Sequence, residues 1–346
     1  AQLEETIRNP KHVERFRNLL AEAAAASTSD ANVRAVVLLA KQQETGDRLA
    51  QALASDSSSE KVDTLLEELQ SLRKLTSLEE LGQEGVEVYQ SVDVAELVRK
   101  AFDPEGLIRL YPQSLNDRVD GGVRKGHHIL VFAPVELGKT AAVINMSCGF
   151  ARQGLKVLYL INEDRVQDII LRQVSNLTGM TKYEINASPE RAQELAQEAG
   201  FGNITTISAS PGTPRQIDEW IDTYGPDCVI VDQLRNLQVK ADTRVNQLEA
   251  AATAVRNIGK KKNVLMVSVS QAGDSARDKL ILNMGDVDFS NVGIPSQADL
   301  MIGLGMDAQY EMEGLRHITL CKNKISGLHD NFPVRIVPQL SRYRSV

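Results

Sequence analysis

Two patterns of apolar and polar positions divide the chain. From residue 10 to residue 102 the apolar side chains recur every three or four positions, which is the spacing of one face of a helix. Val33, Val36 and Val37 show this spacing clearly. The segment holds no recognisable catalytic grouping. We therefore predict a small all-helical domain that serves in packing or in contact with a partner.

Short apolar runs separated by helical patterns follow from about residue 107. Runs with the β-branched and aromatic character of buried strands occur at 128–132, 157–161, 204–207, 228–231, 264–269, 300–304 and 317–321. Helical patterns lie between several of them, at 140–153, 165–178, 188–199, 214–223 and 244–261. Apolar strands that alternate with helices form a mostly parallel sheet covered on both faces, so we predict an α/β fold for this part.

One more amphipathic helix is predicted between the two parts. Leu97, Val98 and Phe102 lie on its apolar side, and the breaker residues at 103–106 end it. Such a helix docks on a neighbouring subunit or packs on its own domain, and the sequence leaves both open. We expect a helical domain over 1–90, a linker helix and hinge over 91–106, and an α/β domain over 107–346.

Composition and charge restrict the function. The formal net charge of the 346 residues is −7, and residues 1–104 carry all of it, which argues against non-specific coating of nucleic acid but not against a local basic lining. No run of eighteen apolar residues occurs, and the charged first residues lack the apolar core of a secretion signal, so we expect no membrane segment. Cys148, Cys228 and Cys321 lie far apart without metal-binding spacing, which indicates reduced thiols of a cytoplasmic protein.

The sequence HILVFAPVELGKT at 128–140 joins a strand, a loop and the start of a helix. This context predicts a phosphate-binding loop formed by Ala133, Pro134, Val135, Glu136, Leu137, Gly138, Lys139 and Thr140. Its backbone N–H groups would surround the phosphates of a ligand, Lys139 would reach the terminal phosphates, and the Thr140 hydroxyl would bind Mg²⁺. Ala133 stands where the first glycine of such a loop is usual.

Polar residues end three of the other predicted strands. Glu163 follows the second strand and could deprotonate a water that attacks the γ-phosphate, whereas Asp164 beside it fits a surface acid or helix cap better. Asp232 closes an apolar strand and would hold Mg²⁺ through water. The predicted strand 264–269 continues through Ser270 to Gln271. A glutamine at this position can form a hydrogen bond with the γ-phosphate and move the loop that follows it. We expect these side chains at one edge of the sheet.

Basic residues mark two loops and one strand. The loop after Asp232 and the loop 272–291 contain candidates for contact with a single-stranded nucleic-acid backbone, namely Arg235, Lys240, Arg244, Arg277 and Lys279. Solvated loop charge explains any one of them equally well. Lys322 and Lys324 are two positions apart on a strand, hence on one face, and suit a phosphate contributed across a subunit boundary or an exposed strand face.

The ordered motifs GVRKGHHILVFAPVELGKT, VLYLINED, CVIVDQLRNL, QADLMIGLG and LCKNKISG resemble those of the DnaB-type replicative helicases, in a bacteriophage form. The resemblance covers 107–346, and for 1–104 it rests only on a helical domain and linker of suitable size. It implies a RecA-like P-loop ATPase that uses ATP and Mg²⁺, forms a homo-hexameric ring, and moves 5′ to 3′ on single-stranded DNA while unwinding duplex. Primase or a helicase loader would be its partners, in the host cytoplasm.

By position, Lys139 and Thr140 match the family's Walker A pair, Glu163 its catalytic glutamate, Asp232 its Walker B aspartate and Gln271 its coupling glutamine. Lys322 and Lys324 fall where the family has a lysine and an arginine finger that reach the neighbouring site. Since Lys324 lacks the bidentate fork of arginine, Arg316 or Arg335 is an alternative finger. A filament-forming RecA- or RadA-like recombination ATPase and a hydrolysis-weak ring or loader adaptor are the rival readings.

Overall fold

The computed structural model describes residues 30–54, 61–69, 72, 93–209, 212–288 and 293–346. The chain forms two compact units, Ala1–Ser91 and Val92–Val346. In the first, α1 spans Asp30–Ala54 and residues 61–69 are also helical. The helical pattern predicted for 10–29 and 73–90 lies outside the described residues.

The second unit begins with the predicted linker helix, α2, Val94–Ala101. The carboxylate of Asp93 caps it by accepting from the backbone N–H groups of Ala95 and Glu96, at 2.9 and 3.2 Å. Its apolar face is exposed, with Leu97 at 50% and Phe102 at 79% of full accessibility. Pro104–Gly106 forms a single 3₁₀ turn after it.

A nine-stranded mixed sheet forms the centre of the second unit, in the order β3-β2-β4-β5-β1-β6-β7-β8-β9. The strands are β1 His128–Ala133, β2 Val157–Ile161, β3 Ile204–Ser208, β4 Cys228–Asp232, β5 Leu265–Gln271, β6 Leu300–Gly305, β7 Leu315–Asn323, β8 Asn331–Val337 and β9 Arg342–Ser345. The pairs from β3 to β6 are parallel and those from β6 to β9 antiparallel. The expected mostly parallel sheet is confirmed, and all seven predicted strands are present.

Two strands were missing from the sequence prediction. β8 alternates buried and exposed positions and contains Pro333, while β9 is short and has Arg342 and Arg344 in its four residues. Both features weaken the strand signal, because proline and charge are typical of strands near a sheet edge. Their absence from the prediction matters for the site, which β9 contacts.

Helices cover both faces of the sheet, as the apolar strands require. They are α3 Lys139–Arg152, α4 Val166–Thr178, α5 Lys182–Ala187, α6 Pro189–Glu198, α7 Pro214–Tyr224, α8 Arg244–Lys261, α9 Gly293–Ser296 and α10 Ala308–Met312. In β1, Ile129 and Val131 belong to one core cluster and Leu130 and Phe132 to the other. Since β1 is buried on both faces, its loop leaves the sheet at a fixed point.

Candidate nucleotide-binding site

The strand order brings the predicted site residues together at the carboxyl ends of the parallel strands. β2, β4, β5 and β1 are consecutive and parallel, so their carboxyl ends lie side by side. In register, Ile161 pairs with Asp232, and Gln271 pairs with Ala133. The phosphate-binding loop, Glu163, Asp232 and Gln271 therefore follow four adjacent strands.

The loop between β1 and α3 has the backbone form of a phosphate cradle. Gly138 has φ +99° and caps α3, whose first residue is Lys139. A Cβ on Gly138 would lie 2.6 Å from the Tyr343 hydroxyl oxygen, so glycine is required for space as well as for its dihedral angle. Ala133 is the last residue of β1 and keeps its strand pairing, which explains why this position tolerates alanine.

Lys139 is buried and folded back into the loop. Its Nζ donates to the carbonyl oxygens of Ala133 at 3.1 Å and Pro134 at 2.9 Å. Burial lowers the pKa of Lys139, while the nearby carboxylates of Glu163 and Asp232 oppose that shift. A cation that burial has partly stripped of water interacts strongly with a phosphate.

Residues from the antiparallel strands brace the loop from the other side. The Tyr343 hydroxyl on β9 lies 3.3 Å from the carbonyl oxygens of Leu137 and Gly138. Arg316 on β7 donates from Nε to the Leu137 carbonyl at 3.1 Å. Of the two alternative fingers, Arg316 thus holds its own loop, and Arg335 donates to the carbonyl of Glu313 at 3.0 Å.

Asp232 offers one unpaired carboxylate oxygen to the site. Its Oδ2 accepts from the Tyr159 hydroxyl at 2.9 Å, and its Oδ1 is buried without a hydrogen-bond partner among the described residues. Burial raises the pKa of Asp232 to about 6, against the opposing effect of the Tyr159 hydrogen bond. Buried polar atoms normally have a partner, so Oδ1 fits a water of a hydrated cation.

Magnesium suits this donor set. Asp232 and the half-buried Thr140 can each supply one oxygen, and Mg²⁺ commonly takes few protein ligands beside water and phosphate. The described residues contain no group of three or more His, Cys, Asp or Glu side chains that could hold a metal by themselves. The residues present therefore fit a cation that arrives with the nucleotide.

Glu163 is already engaged through both carboxylate oxygens. Gln233 donates from Nε2 to Oε2, and Arg235 donates from Nη2 to Oε1 at 3.2 Å. Through Nη1 the same guanidinium donates to Gln271 Oε1 at 2.5 Å. Sequence reasoning placed Arg235 in a DNA-facing loop, and the structure places its guanidinium between the candidate base and the candidate coupling glutamine.

The turn that carries Arg235 is fixed to the end of β2. Asn162 and Gln233 exchange hydrogen bonds, with Gln233 N to Asn162 Oδ1 at 2.5 Å and Asn162 Nδ2 to Gln233 O at 2.8 Å. Asn236 Nδ2 donates to the Asn162 carbonyl at 3.1 Å. The backbone around Arg235 is therefore anchored beside Glu163.

The other basic loop residues differ in their surroundings. Lys240, Arg244 and Arg277 are exposed, and Arg277 lies 3.9 Å from Asp274. Lys279 instead forms a 2.7 Å ion pair with Asp286, whose side chain is buried. This pair favours a structural role for Lys279, because a buried carboxylate needs its partner.

The loop after Gln271 is ordered over 272–288 by contacts at both ends. Ala272 N donates to the Ala133 carbonyl at 2.9 Å, and Asp288 N donates to the Gln271 carbonyl at 3.0 Å. Side chains between these ends, including Ala276 and Leu282, are buried. These contacts tie both ends of the loop to the neighbourhood of Gln271.

Lys322 and Lys324 lie at the opposite end of the strands, where β1 and β6 begin. β7 ends at Asn323, and Lys324 N donates to the Asp299 carbonyl at 2.8 Å, level with the start of β1. At about 3.3 Å per residue, the length of β1 puts Lys324 roughly 15 Å from the phosphate-binding loop of the same chain. Burial and the nearby Lys324 lower the pKa of Lys322 to about 8. The distance to the phosphate-binding loop is too long for either lysine side chain to reach the loop of its own chain.

Comparisons with known proteins agree with this geometry. A family model described as an AAA domain matches residues 95–276, more than half of the chain. The DnaB-like replicative helicase of Enterobacteria phage T4 is 20% identical over 211 residues, 55% of this chain and 44% of that protein. A probable plasmid replicative DNA helicase of Chlamydia trachomatis is 23% identical over 252 residues, 68% of this chain and 55% of that protein. The chain thus spans about half the length of these relatives.

Solved structures show the same fold. One of them, an isolated ATPase domain, superposes with a TM-score of 0.63 and 17% identity, covering 75% of this chain and all of that domain. A structure titled as a DnaB-like replicative helicase and its interactions with primase gives 0.64 and 17%, covering 95% of this chain and 83% of that one. The resemblance to DnaB-type helicases and the RecA-like fold expected from the motifs are confirmed. No helix among the described residues is long and apolar enough to cross a membrane.

Proposed function

Because the chain belongs to the AAA domain family, we propose that it is an ATP-driven DNA helicase that acts as a ring of identical subunits. One observation carries this proposal. Four candidate site residues lie at the carboxyl ends of adjacent parallel strands, namely Lys139, Glu163, Asp232 and Gln271. Lys322 and Lys324 lie at the opposite end of these strands. A site that needs both groups is complete only between two copies, as in a closed ring, usually of six subunits.

Each residue at the loop edge has a role in phosphate transfer. The backbone of 134–140 and the Nζ of Lys139 bind the phosphates, and Thr140 and Asp232 would hold Mg²⁺, which would supply positive charge to the phosphate oxygens. Glu163 orients the attacking water and accepts its proton. Lys322 and Lys324 of a neighbouring copy supply positive charge to the γ-phosphate.

DNA would run past the loops that follow β4 and β5. The exposed side chains of Lys240, Arg244 and Arg277 supply the positive charge that follows a phosphodiester backbone. Gln271 links the nucleotide to loop 272–288, so hydrolysis can move that loop. We infer movement 5′ to 3′ in the cytoplasm and contact with a primase or loader from the similarity to DnaB-type helicases alone.

A steady-state ATPase assay with and without single-stranded DNA tests this function. We expect DNA to stimulate turnover and the Glu163→Gln variant to lose about 100-fold or more of the stimulated rate, since general-base catalysis contributes at least that factor. Nucleotide binding should persist in the variant because Glu163 is not a phosphate ligand.

Two other outcomes would assign a different function. If DNA does not stimulate the parent protein and its ATPase rate equals that of Glu163→Gln, the chain is a structural ring or a loader adaptor. A lysine in place of the usual arginine at position 324 is consistent with that function. DNA-stimulated turnover on extended filaments in electron micrographs, without strand separation, would indicate a recombination ATPase.

A further inference from the structure

Arg235 links the two residues that have to change partners during hydrolysis. Its guanidinium donates to Glu163 at 3.2 Å and to Gln271 at 2.5 Å, and Gln233 occupies the second oxygen of Glu163. Each charge-assisted hydrogen bond takes up one lone pair of a carboxylate oxygen and fixes the direction of the carboxylate. In this arrangement the Glu163 carboxylate and the Gln271 amide are both held toward Arg235.

The backbone of Arg235 is fixed while its side chain can move. Leu234 and Leu237 on either side are buried, and Asn236 is bonded to Asn162. The Arg235 side chain is 27% exposed, and the exposed segment 240–246, which carries Lys240, follows it in the chain. A rotation about the side-chain bonds of Arg235 would take its guanidinium out of the site without moving the backbone.

We propose that Arg235 is a positioning residue that holds Glu163 and Gln271 in an inactive arrangement until a backbone phosphate of single-stranded DNA binds its guanidinium. The proposal rests on the proposed helicase function. A phosphate accepts the two parallel hydrogen bonds of a guanidinium and carries a full charge, whereas Gln271 offers only a neutral oxygen. Exchange of Gln271 and Glu163 for one phosphate releases the base and the coupling glutamine in a single movement.

The Arg235→Met variant tests this coupling because methionine keeps much of the length without charge or donors. We expect its ATPase rate without DNA to rise about tenfold, the size of effect that one charge-assisted hydrogen bond gives, while the rate with DNA changes little. The ratio of the two rates should therefore collapse. The control is Arg191→Met, which breaks an exposed ion pair with Glu194 on α6 and should leave both rates as in the parent.

DNA binding gives a second readout that does not depend on turnover. With a non-hydrolysable ATP analogue bound, the dependence of log K on log salt for an oligonucleotide should fall in slope by about 0.7 for Arg235→Met, the value of one phosphate contact on a single strand. An unchanged slope would show that no DNA phosphate binds Arg235 and would overturn the proposal.

The remaining outcomes are decisive as well. If the ratio of the ATPase rates with and without DNA is the same in Arg235→Met as in the parent, the proposal is overturned. An equal loss of both rates would overturn it as well, because that result indicates that Arg235 serves the γ-phosphate. If thermal melting shows that Arg235→Met is unfolded, the Arg235→Lys variant replaces it, because lysine cannot bridge Glu163 and Gln271. We expect Arg235→Lys to have a higher ATPase rate without DNA than the parent. An unchanged ratio of the rates with and without DNA overturns the proposal. A parent without DNA-stimulated turnover would instead refute the helicase function itself.

Discussion

At the scale of single residues, Asp232 combines a functional advantage with a cost in folding. Its carboxylate is buried, one oxygen bonds Tyr159, and the other has no partner among the described residues. Tyr159 was not singled out in the sequence, although a tyrosine in a fully buried strand needs a partner for its hydroxyl and is itself a signal. The unpaired oxygen suits a hydrated cation but disfavours the charged carboxylate when no cation is bound.

The Asp232→Asn variant should be more stable than the parent above pH 6 without nucleotide. The pKa of Asp232 is raised from 3.8 to about 6 in the folded chain, so the folded state loses its proton less readily than the unfolded state. Its contribution to the free energy of unfolding is therefore lost as pH rises from about 4 to about 6, by roughly 3 kcal/mol above pH 6. Thermal melting at pH 7.5 should show the gain.

The same comparison at pH 4 provides the control, because both side chains are then mostly neutral and the two melting temperatures should converge. A lower melting temperature for Asp232→Asn at pH 7.5 would contradict the expectation. Hydrolysis of Mg-ATP should be lost at every pH, which separates the stability effect from the loss of the magnesium ligand.

At the scale of elements, α2 is a helix with an exposed apolar face. Val94, Leu97, Val98 and Phe102 are all between 46% and 79% exposed. The helix is capped and its amphipathic spacing was predictable, but whether it packs on its own domain or on another subunit was left open by the sequence. The exposure in a single chain favours a neighbouring copy as the partner.

The Leu97→Glu variant should therefore form smaller assemblies. Burial of a leucine side chain contributes about 2 kcal/mol, so its replacement by glutamate should weaken each contact between copies at least tenfold. Mass photometry over a concentration series measures this directly. Glu96→Gln on the same helix is the matched control and should assemble as the parent does; an unchanged assembly with a lower melting temperature for Leu97→Glu would indicate packing within one chain instead.

At the scale of the whole molecule, the sheet separates two groups of charged residues. The loop that holds Lys139 follows the carboxyl end of β1. Lys322 and Lys324 lie at the opposite end of the strands, because β7 is antiparallel to β6 and β6 is parallel to β1. If both groups serve one site, as we propose, a single chain cannot complete it. The separation also explains why catalysis by this chain should depend on its assembly.

Mixing two inactive variants should restore activity. Lys139→Ala removes the phosphate ligand and Lys324→Ala the cation expected from the neighbour, and each alone should lower turnover by about tenfold or more. In mixed rings, roughly one interface in four pairs an intact loop with an intact Lys324, so about a quarter of the parent's rate should return. Absence of recovery in rings shown to be mixed by differently tagged subunits would contradict action between copies.

Much of the α/β unit could be predicted from the sequence because its signals are local. Runs such as 128–132 and 228–231 are apolar since both faces of a central parallel strand are buried, and the segment Gly138 to Thr140 has a spacing that phosphate binding requires. β9, which is an edge strand, and β8 beside it were missed because proline and arginine weaken the same signal.

The sequence by itself thus determined the order along the chain of seven of the nine strands among the described residues, and it singled out the candidate phosphate-binding loop and the polar residues at strand ends. Only the tertiary structure decided which of them touch: Tyr159 with Asp232, Arg235 with both Glu163 and Gln271, Tyr343 and Arg316 with the loop. These partners lie between 36 and 206 positions apart in the chain. Contacts over such separations leave no periodic pattern in the sequence, because they depend on strand order and register rather than on local spacing.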